Sequence, residues 1–416
     1  MQLILIRRGF LSIIFAGLHF VFSSAFAQTV SKPKTPMMGW SSWNNFRVNI
    51  DEKLIKEQAD ALVKSGLKNA GYNFINVDDG YFGGRNAKGE LQYNKKRFPN
   101  GMKAIADYIH SKGLKAGIYT EAGITSCAAI WDQDTIGTNS GLYNHDEEDL
   151  TLFLKTWGYD FLKVDWCGAE KMNLNEQIRY TQIANWIKVI KPQVLYNICR
   201  WKFPGDWAPL IADSWRVSGD IANNFKSILH IINQNADLWR YCSPGHFNDM
   251  DILQVGRGMT FEEDKTHFSL WCMMNSPLLL GNDLRSISKQ TLSIVTNKEL
   301  IDLNQDPFCY QARRLQDSLG VQFWAKPLAS AESGEVAVAL LNTNNVATEV
   351  ILDIDKVGID TKQAYVIRDL WKHENITPSP NNTMPTFSVP AHGVMVFKIS
   401  GKSLPFNIFE RMDAKK

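Results

Sequence analysis

The chain has 416 residues, of which 44 % are hydrophobic, 21 % charged and 11 % aromatic; this excludes a disordered, collagen-like or coiled-coil protein and leaves room for a large core. Its 45 Lys and Arg against 43 Asp and Glu give a formal net charge of +2, too near neutrality for a protein that tracks nucleic-acid phosphates. The 13 Trp are more specific: most are expected in the core, yet flat rings with one N–H donor also suit the faces of sugars.

Met1 to about Ala27 reads as a removable leader, with a basic start at Arg7-Arg8, an apolar stretch from Gly9 to Phe22 and an A-x-A site at Ala25 and Ala27. The expectation is an exported protein, periplasmic or secreted, with no membrane attachment once the leader is removed. Loss of Arg7 and Arg8 brings the formal charge to zero. Export makes disulfides accessible to Cys127, Cys167, Cys199, Cys242, Cys272 and Cys309. Their spacings fit no zinc pattern, and no metal or organic cofactor is implied.

From Met38 a rhythm begins. Strand-like segments recur at Met38–Trp40, Phe74–Asp79, Lys115–Tyr119, Phe161–Asp165, Val194–Cys199, Trp215–Ser218, Phe247–Asp251 and Pro277–Leu280, eight in all. Between most of them lie stretches of helical periodicity, such as Leu54, Ile55, Ala59, Leu62 and Val63 behind the possible N-cap Asp51. Alternation of buried strands and helices builds a parallel sheet, and eight units predict a (β/α)8 TIM barrel. An open doubly wound sheet is the alternative, but neither of its usual glycine-rich phosphate loops occurs. After about Phe308 the pattern changes to strands at Gly320–Ala325, Glu335–Leu341, Glu349–Leu352 and Val394–Phe397 without long helices, predicting a C-terminal antiparallel β-sandwich. The expected division is a signal peptide over 1–27, a catalytic barrel over 28–307 and a β-domain over 308–416. The triplets Asn375-Ile376-Thr377 and Asn381-Asn382-Thr383 fit a glycosylation pattern that also arises by chance.

In such a barrel the active site lies at the C-terminal ends of the strands. The polar and aromatic residues at those ends are Trp40, Trp43, Asp78, Asp79, Tyr119, Lys163, Asp165, Arg200, Trp201, Arg216, Asp220, Asp249 and Asp251. Carboxylates, cations and aromatics around one mouth suit a neutral polyhydroxylated substrate, because carboxylates accept hydrogen bonds from hydroxyls and rings cover the apolar sugar face. Glycoside hydrolysis is the reaction class this favours. Calcium at Asp249 and Asp251 is the weaker reading, since the other oxygen ligands of such a loop are absent.

The segments Thr35–Asn44, Asn76–Tyr81, Gly117–Tyr119, Lys163–Cys167, Trp215–Ile221 and Asn248–Leu253, in that order, resemble the α-galactosidases of glycoside hydrolase family 27. The resemblance implies a retaining mechanism with Asp165 as nucleophile and Asp220 as general acid/base, two carboxyl groups about 5–5.5 Å apart across the scissile bond. Those roles need Asp165 ionised, which Lys163 two residues earlier favours, and Asp220 protonated, which desolvation and the charge of Asp165 favour and Arg216 opposes if it lies close. By the same likeness Asp78 and Asp79 hold the 4- and 6-hydroxyls of a galacto-configured ring, Trp43 and Tyr119 line the pocket, Lys163 is a hydroxyl ligand, Arg216 lies near the 2-position, and Cys127 pairs with Cys167.

Two departures bear on specificity. Cys199-Arg200-Trp201 stands where Cys-Glu-Trp is usual, exchanging an acceptor near the 2-hydroxyl for a five-donor cation at Arg200, with Trp201 beside it. Gly80-Tyr81 follows Asp78-Asp79 where Cys-Trp is common, which is expected to alter the rim near the 6-position. The leading expectation is an exported exo-acting enzyme that takes terminal α-D-galactosyl residues from oligo- or polysaccharides. A β-L-arabinopyranosidase or α-N-acetylgalactosaminidase of the same family, an α-glucan hydrolase, and a carbohydrate-binding protein without catalysis are the alternatives.

Overall fold

A computed structural model describes residues 32–329, 334–376 and 384–404. The leader, the Asn381-Asn382-Thr383 triplet and Thr377 of the other triplet lie outside the described residues. Eight parallel strands form one sheet: β1 (Met38–Ser41), β2 (Phe74–Val77), β3 (Lys115–Glu121), β4 (Phe161–Asp165), β5 (Leu195–Ile198), β6 (Ser214–Arg216), β7 (Phe247–Asp249) and β8 (Leu278–Leu280). The spatial order is β8-β1-β2-β3-β4-β5-β6-β7. A parallel bridge between Leu253 and Leu280, with Leu253 N donating to Leu279 O at 2.7 Å, joins the two ends and makes the sheet a barrel. Nearly all strand residues are buried, as parallel strands covered by helices must be.

The helices form for the reasons the sequence supplies. Glu52–Lys64 starts where Asp51 Oδ1 accepts from Leu54 N at 2.7 Å, and its Leu54, Ile55, Ala59 and Leu62 turn inward. Glu176–Ile190 is capped by Asn175, and Phe225–Asn235 by Asn224. Phe261–Met273 opens on a capping box between Thr260 and Glu263. An antiparallel hairpin, Phe82–Arg85 with Leu91–Tyr93, is inserted after β2. It carries no strong turn dipeptide that would have flagged it.

The C-terminal part is antiparallel, as expected. Strands β9 (Arg313–Ser318), β10 (Val321–Pro327), β11 (Glu335–Asn342), β12 (Thr348–Ile351), β13 (Tyr365–Asp369), β14 (Glu374–Ile376), β15 (Thr386–Val389) and β16 (Val394–Gly401) make a six-stranded sheet, β9-β10-β11-β16-β13-β14, and a two-stranded one, β12-β15. Phe323, Val338, Leu340, Ile367 and Phe397 of the larger sheet share a core with Val350 and Val389 of the smaller. This layer docks on the barrel's helices. Thr266 Oγ1 donates to His392 O at 2.7 Å, and Arg368 forms two hydrogen bonds with Glu299.

Candidate active site

The strand ends open onto one cavity of about 300 Å3 lined by Trp43, Asp78, Asp79, Tyr119, Lys163, Asp165, Trp201, Arg216 and Asp220, among others. Residues scattered over 178 positions of sequence reach it because every strand of a parallel barrel ends on the same face. On β4, Lys163 and Asp165 are two apart and share a side of the strand. Lateral register sets Tyr119 beside Lys163 and Glu121 beside Asp165. Below the mouth, Gly117 makes room for a neighbour: a Cβ there would meet the Asn76 amide oxygen at 2.0 Å.

Asp78 is buried directly after β2 and is held from two other strands. Its Oδ2 accepts from Lys163 Nζ at 3.0 Å and from Ser41 Oγ at 3.4 Å. Asp79 binds its own surroundings, accepting from Gly80 N at 2.7 Å and from Ala128 N at 2.8 Å. Burial pushes its carboxyl up to about 6 despite the Ala128 hydrogen bond. Tyr119 Oη accepts from Cys127 N at 3.2 Å, and Cys127 is joined to Cys167 across 40 positions of sequence. In the chain-entropy model a loop of that size is worth about 4 kcal/mol. Its local effect is to tie the loop after β3 to the end of β4, behind Asp165.

Arg216 is buried and faces three acceptors. Its Nη2 lies 2.9 Å from Asp251 Oδ2, 3.1 Å from Asp220 Oδ1 and 3.2 Å from Ser218 O. Asp251 also accepts from Ile221 N at 2.8 Å, which fastens the segment carrying Asp220 to the end of β7. Asp249 accepts from Asn197 Nδ2 at 2.9 Å and from Asp251 N at 2.9 Å. The two carboxylates at and just beyond the end of β7 thus hold protein donors, and Asp251 serves chiefly as the counter-ion of Arg216.

The charge environment of the pair reverses the expectation. Asp165 is buried, and that burial pushes it up to about 7 against the pull of Lys163. Lys163 does less than expected because its ammonium sits closer to Asp78, at 3.0 Å, than to Asp165, at 3.9 Å. Asp220 has a side chain 67 % exposed toward the mouth. Its partial desolvation raises it, but Arg216 and Lys163 outweigh that and hold it below the ordinary carboxylate range. In the open pocket the proton therefore favours Asp165 and the charge favours Asp220.

Two further expectations change. Arg200 is not among the residues lining the cavity; its Nε donates to Glu176 Oε1 at 2.8 Å and its Nη2 to Glu170 at 3.4 Å, and it lies over the Trp166 and Trp201 rings. The acids of the two helices that precede β5 draw it away, and Trp201, with a left-handed φ of 60°, is what reaches the site. Gly80 and Tyr81 are not at the rim. Gly80 adopts φ 113° against Val48, and Tyr81 is buried with its hydroxyl donating to Tyr119 O at 2.8 Å.

Sequence reasoning missed Arg47, Trp131 and Asp132, which also line the cavity. Arg47 lies 4.8 Å from the Trp43 ring centre, one helical turn along, and that spacing was the available signal. Glu121 was missed as well. It is buried, accepts from Gly123 N at 2.9 Å and Ala169 N at 3.1 Å, and is pushed up to about 8 by burial and by the charge of Asp165.

The family model described as Alpha galactosidase A matches residues 35–306, and that of the Alpha galactosidase C-terminal beta sandwich domain matches residues 319–399. Alpha-galactosidase A of Cellvibrio japonicus is 42 % identical over 390 residues, covering 88 % of this chain and 92 % of its own length. The structure of α-galactosidase I from Mortierella vinacea aligns with a TM-score of 0.80 at 32 % identity, covering 89 % of this chain and 98 % of that one. An α-galactosidase from Saccharomyces cerevisiae, solved with raffinose, aligns with a TM-score of 0.76 at 26 % identity, covering 88 % and 97 %.

Proposed function

The chain belongs to the α-galactosidases of glycoside hydrolase family 27, and from that premise we propose that it removes terminal α-D-galactosyl residues from oligo- or polysaccharides with retention of configuration. The observation that carries this reading is the gathering of Asp165 and Asp220 in one cavity with Asp78, Asp79 and Lys163. A galactosyl ring seated on Asp78, Asp79 and Lys163 presents its anomeric carbon to that pair. Filling the cavity strips water from the exposed Asp220 carboxylate, which favours its protonated form, and the electron-poor anomeric carbon favours charge on Asp165.

In the first step an Asp165 oxygen bonds to the anomeric carbon while the glycosidic C–O bond breaks, and the proton of Asp220 passes to the leaving oxygen. In the second, Asp220 takes a proton from water, the water oxygen bonds to the anomeric carbon and the ester to Asp165 breaks. Galactose leaves in the α configuration. The raffinose bound by the yeast relative supports an α-galactosyl oligosaccharide as substrate.

Initial rates on aryl α-D-galactoside, α-N-acetyl-D-galactosaminide and β-L-arabinopyranoside test the glycone. The α-galactoside is expected to exceed the other two by at least about tenfold, since Arg200 points away from the pocket and leaves galactose recognition to Asp78 and Asp79. A preference for either other glycoside would reassign the substrate.

The pH dependence follows from the shared proton. As pH rises through about 7, Asp165 loses its proton and the pair becomes doubly charged, with no acid left for the leaving group. The expected kcat/KM profile falls on its alkaline side with a midpoint near that value. A profile flat to pH 9 contradicts the one-proton pair.

A further inference from the structure

We infer that Trp131, with Asp132 and Arg47 beside it, is a leaving-group platform that selects substrates whose aglycone is itself a sugar. The inference rests on the proposed α-galactosidase reading and goes one step outward from the galactosyl pocket. Trp131 closes the short helix Cys127–Trp131 and lines the cavity with 69 % of its surface exposed. A fully exposed indole on a mobile loop would have no defined role. This one is fixed from below.

Three attachments fix it. Cys127 is bridged to Cys167, Ala128 N donates to Asp79 Oδ2 at 2.8 Å, and Ser126 caps the helix start by accepting from Ala129 N. The platform is thus coupled to the carboxylate expected to hold the galactosyl ring, so the indole keeps a set distance from the inner site. Lys171 Nζ stands 5.4 Å from the ring centre on the neighbouring segment. Asp132 is held by the Arg47 guanidinium, which also stacks on Trp43 at 4.8 Å. An aromatic face bordered by a carboxylate and a guanidinium matches a pyranose, whose apolar C–H face needs a ring and whose rim hydroxyls need acceptors and donors. A methyl aglycone reaches none of these.

The test compares raffinose with methyl α-D-galactoside on wild type, Trp131→Ala and Trp131→Phe. Trp131→Ala is expected to lower the ratio of kcat/KM for raffinose to that for the methyl glycoside by about tenfold, largely through KM, and Trp131→Phe to restore most of it. An unchanged ratio overturns the platform. So does an equal weakening of competitive inhibition by free galactose, which would place Trp131 in the inner pocket. Failure of the wild type to hydrolyse either compound would instead refute the α-galactosidase reading on which the inference stands.

Discussion

Asp165→Gly is expected to be inert toward aryl α-galactosides, with kcat reduced by on the order of 10⁴ or more, until azide is added, and then to release β-galactosyl azide. Azide fills the space of the missing carboxylate and attacks the anomeric carbon from the face Asp165 would have used, so configuration inverts. Asp220→Gly is expected to lose about 10²–10⁴-fold on substrates with poor leaving groups, less on aryl glycosides, and to give α-galactosyl azide, because azide then captures the ester already formed on Asp165. The experiment bears directly on the charge reversal at the site. Burial places the proton on Asp165 in the open pocket, and Arg216 keeps Asp220 charged; the proposed roles require the proton to move when substrate enters. The opposite pairing of variants and anomers would exchange the two roles. Absence of rescue in both would remove the pair from the chemistry.

That reversal also marks how far the sequence is legible. Seven of the eight barrel strands carry an apolar run that ends on, or just before, a polar or aromatic residue, so the fold and much of the list of residues around the mouth follow from local pattern. Which partner a charged side chain chooses does not. Lys163 lies two residues from Asp165 in sequence, yet its ammonium is nearer Asp78, 85 positions away. Arg200 sits in the motif next to Trp201, yet Glu176, at the start of the preceding long helix, takes its guanidinium. Gly80-Tyr81 follows the Asp pair, yet the chain turns inward there and buries the tyrosine. Trp131 ends a five-residue helix too short to show a period that would assign its side chain a direction, and only the assembled cavity shows that it lines the mouth. Long-range electrostatics and loop geometry are properties of the assembled barrel mouth, and neither has a period that a linear pattern can reveal.

The largest stability effect is expected at Arg216. Arg216→Met is expected to cost about 3–5 kcal/mol at neutral pH by denaturant unfolding, because it leaves the buried Asp251 without its cation. Asp251 already lies above the ordinary carboxylate range through burial, with Arg216 opposing. Without Arg216 it rises further and folds best when neutral, so the deficit shrinks as pH falls and the carboxyl takes up a proton. Arg216→Met combined with Asp251→Asn should recover most of the stability, as removing both members of a buried ion pair often does. Activity should not return with it. Asp220 would still lack the guanidinium that sits 3.1 Å away, and the segment bearing it would have exchanged the Asp251 carboxylate for an amide at Ile221 N. A double variant that regains both stability and kcat/KM would mean that Arg216 serves the fold alone; one that stays as unstable as Arg216→Met would mean that the guanidinium's bond to Ser218 O, or its packing, carries the stability rather than its charge.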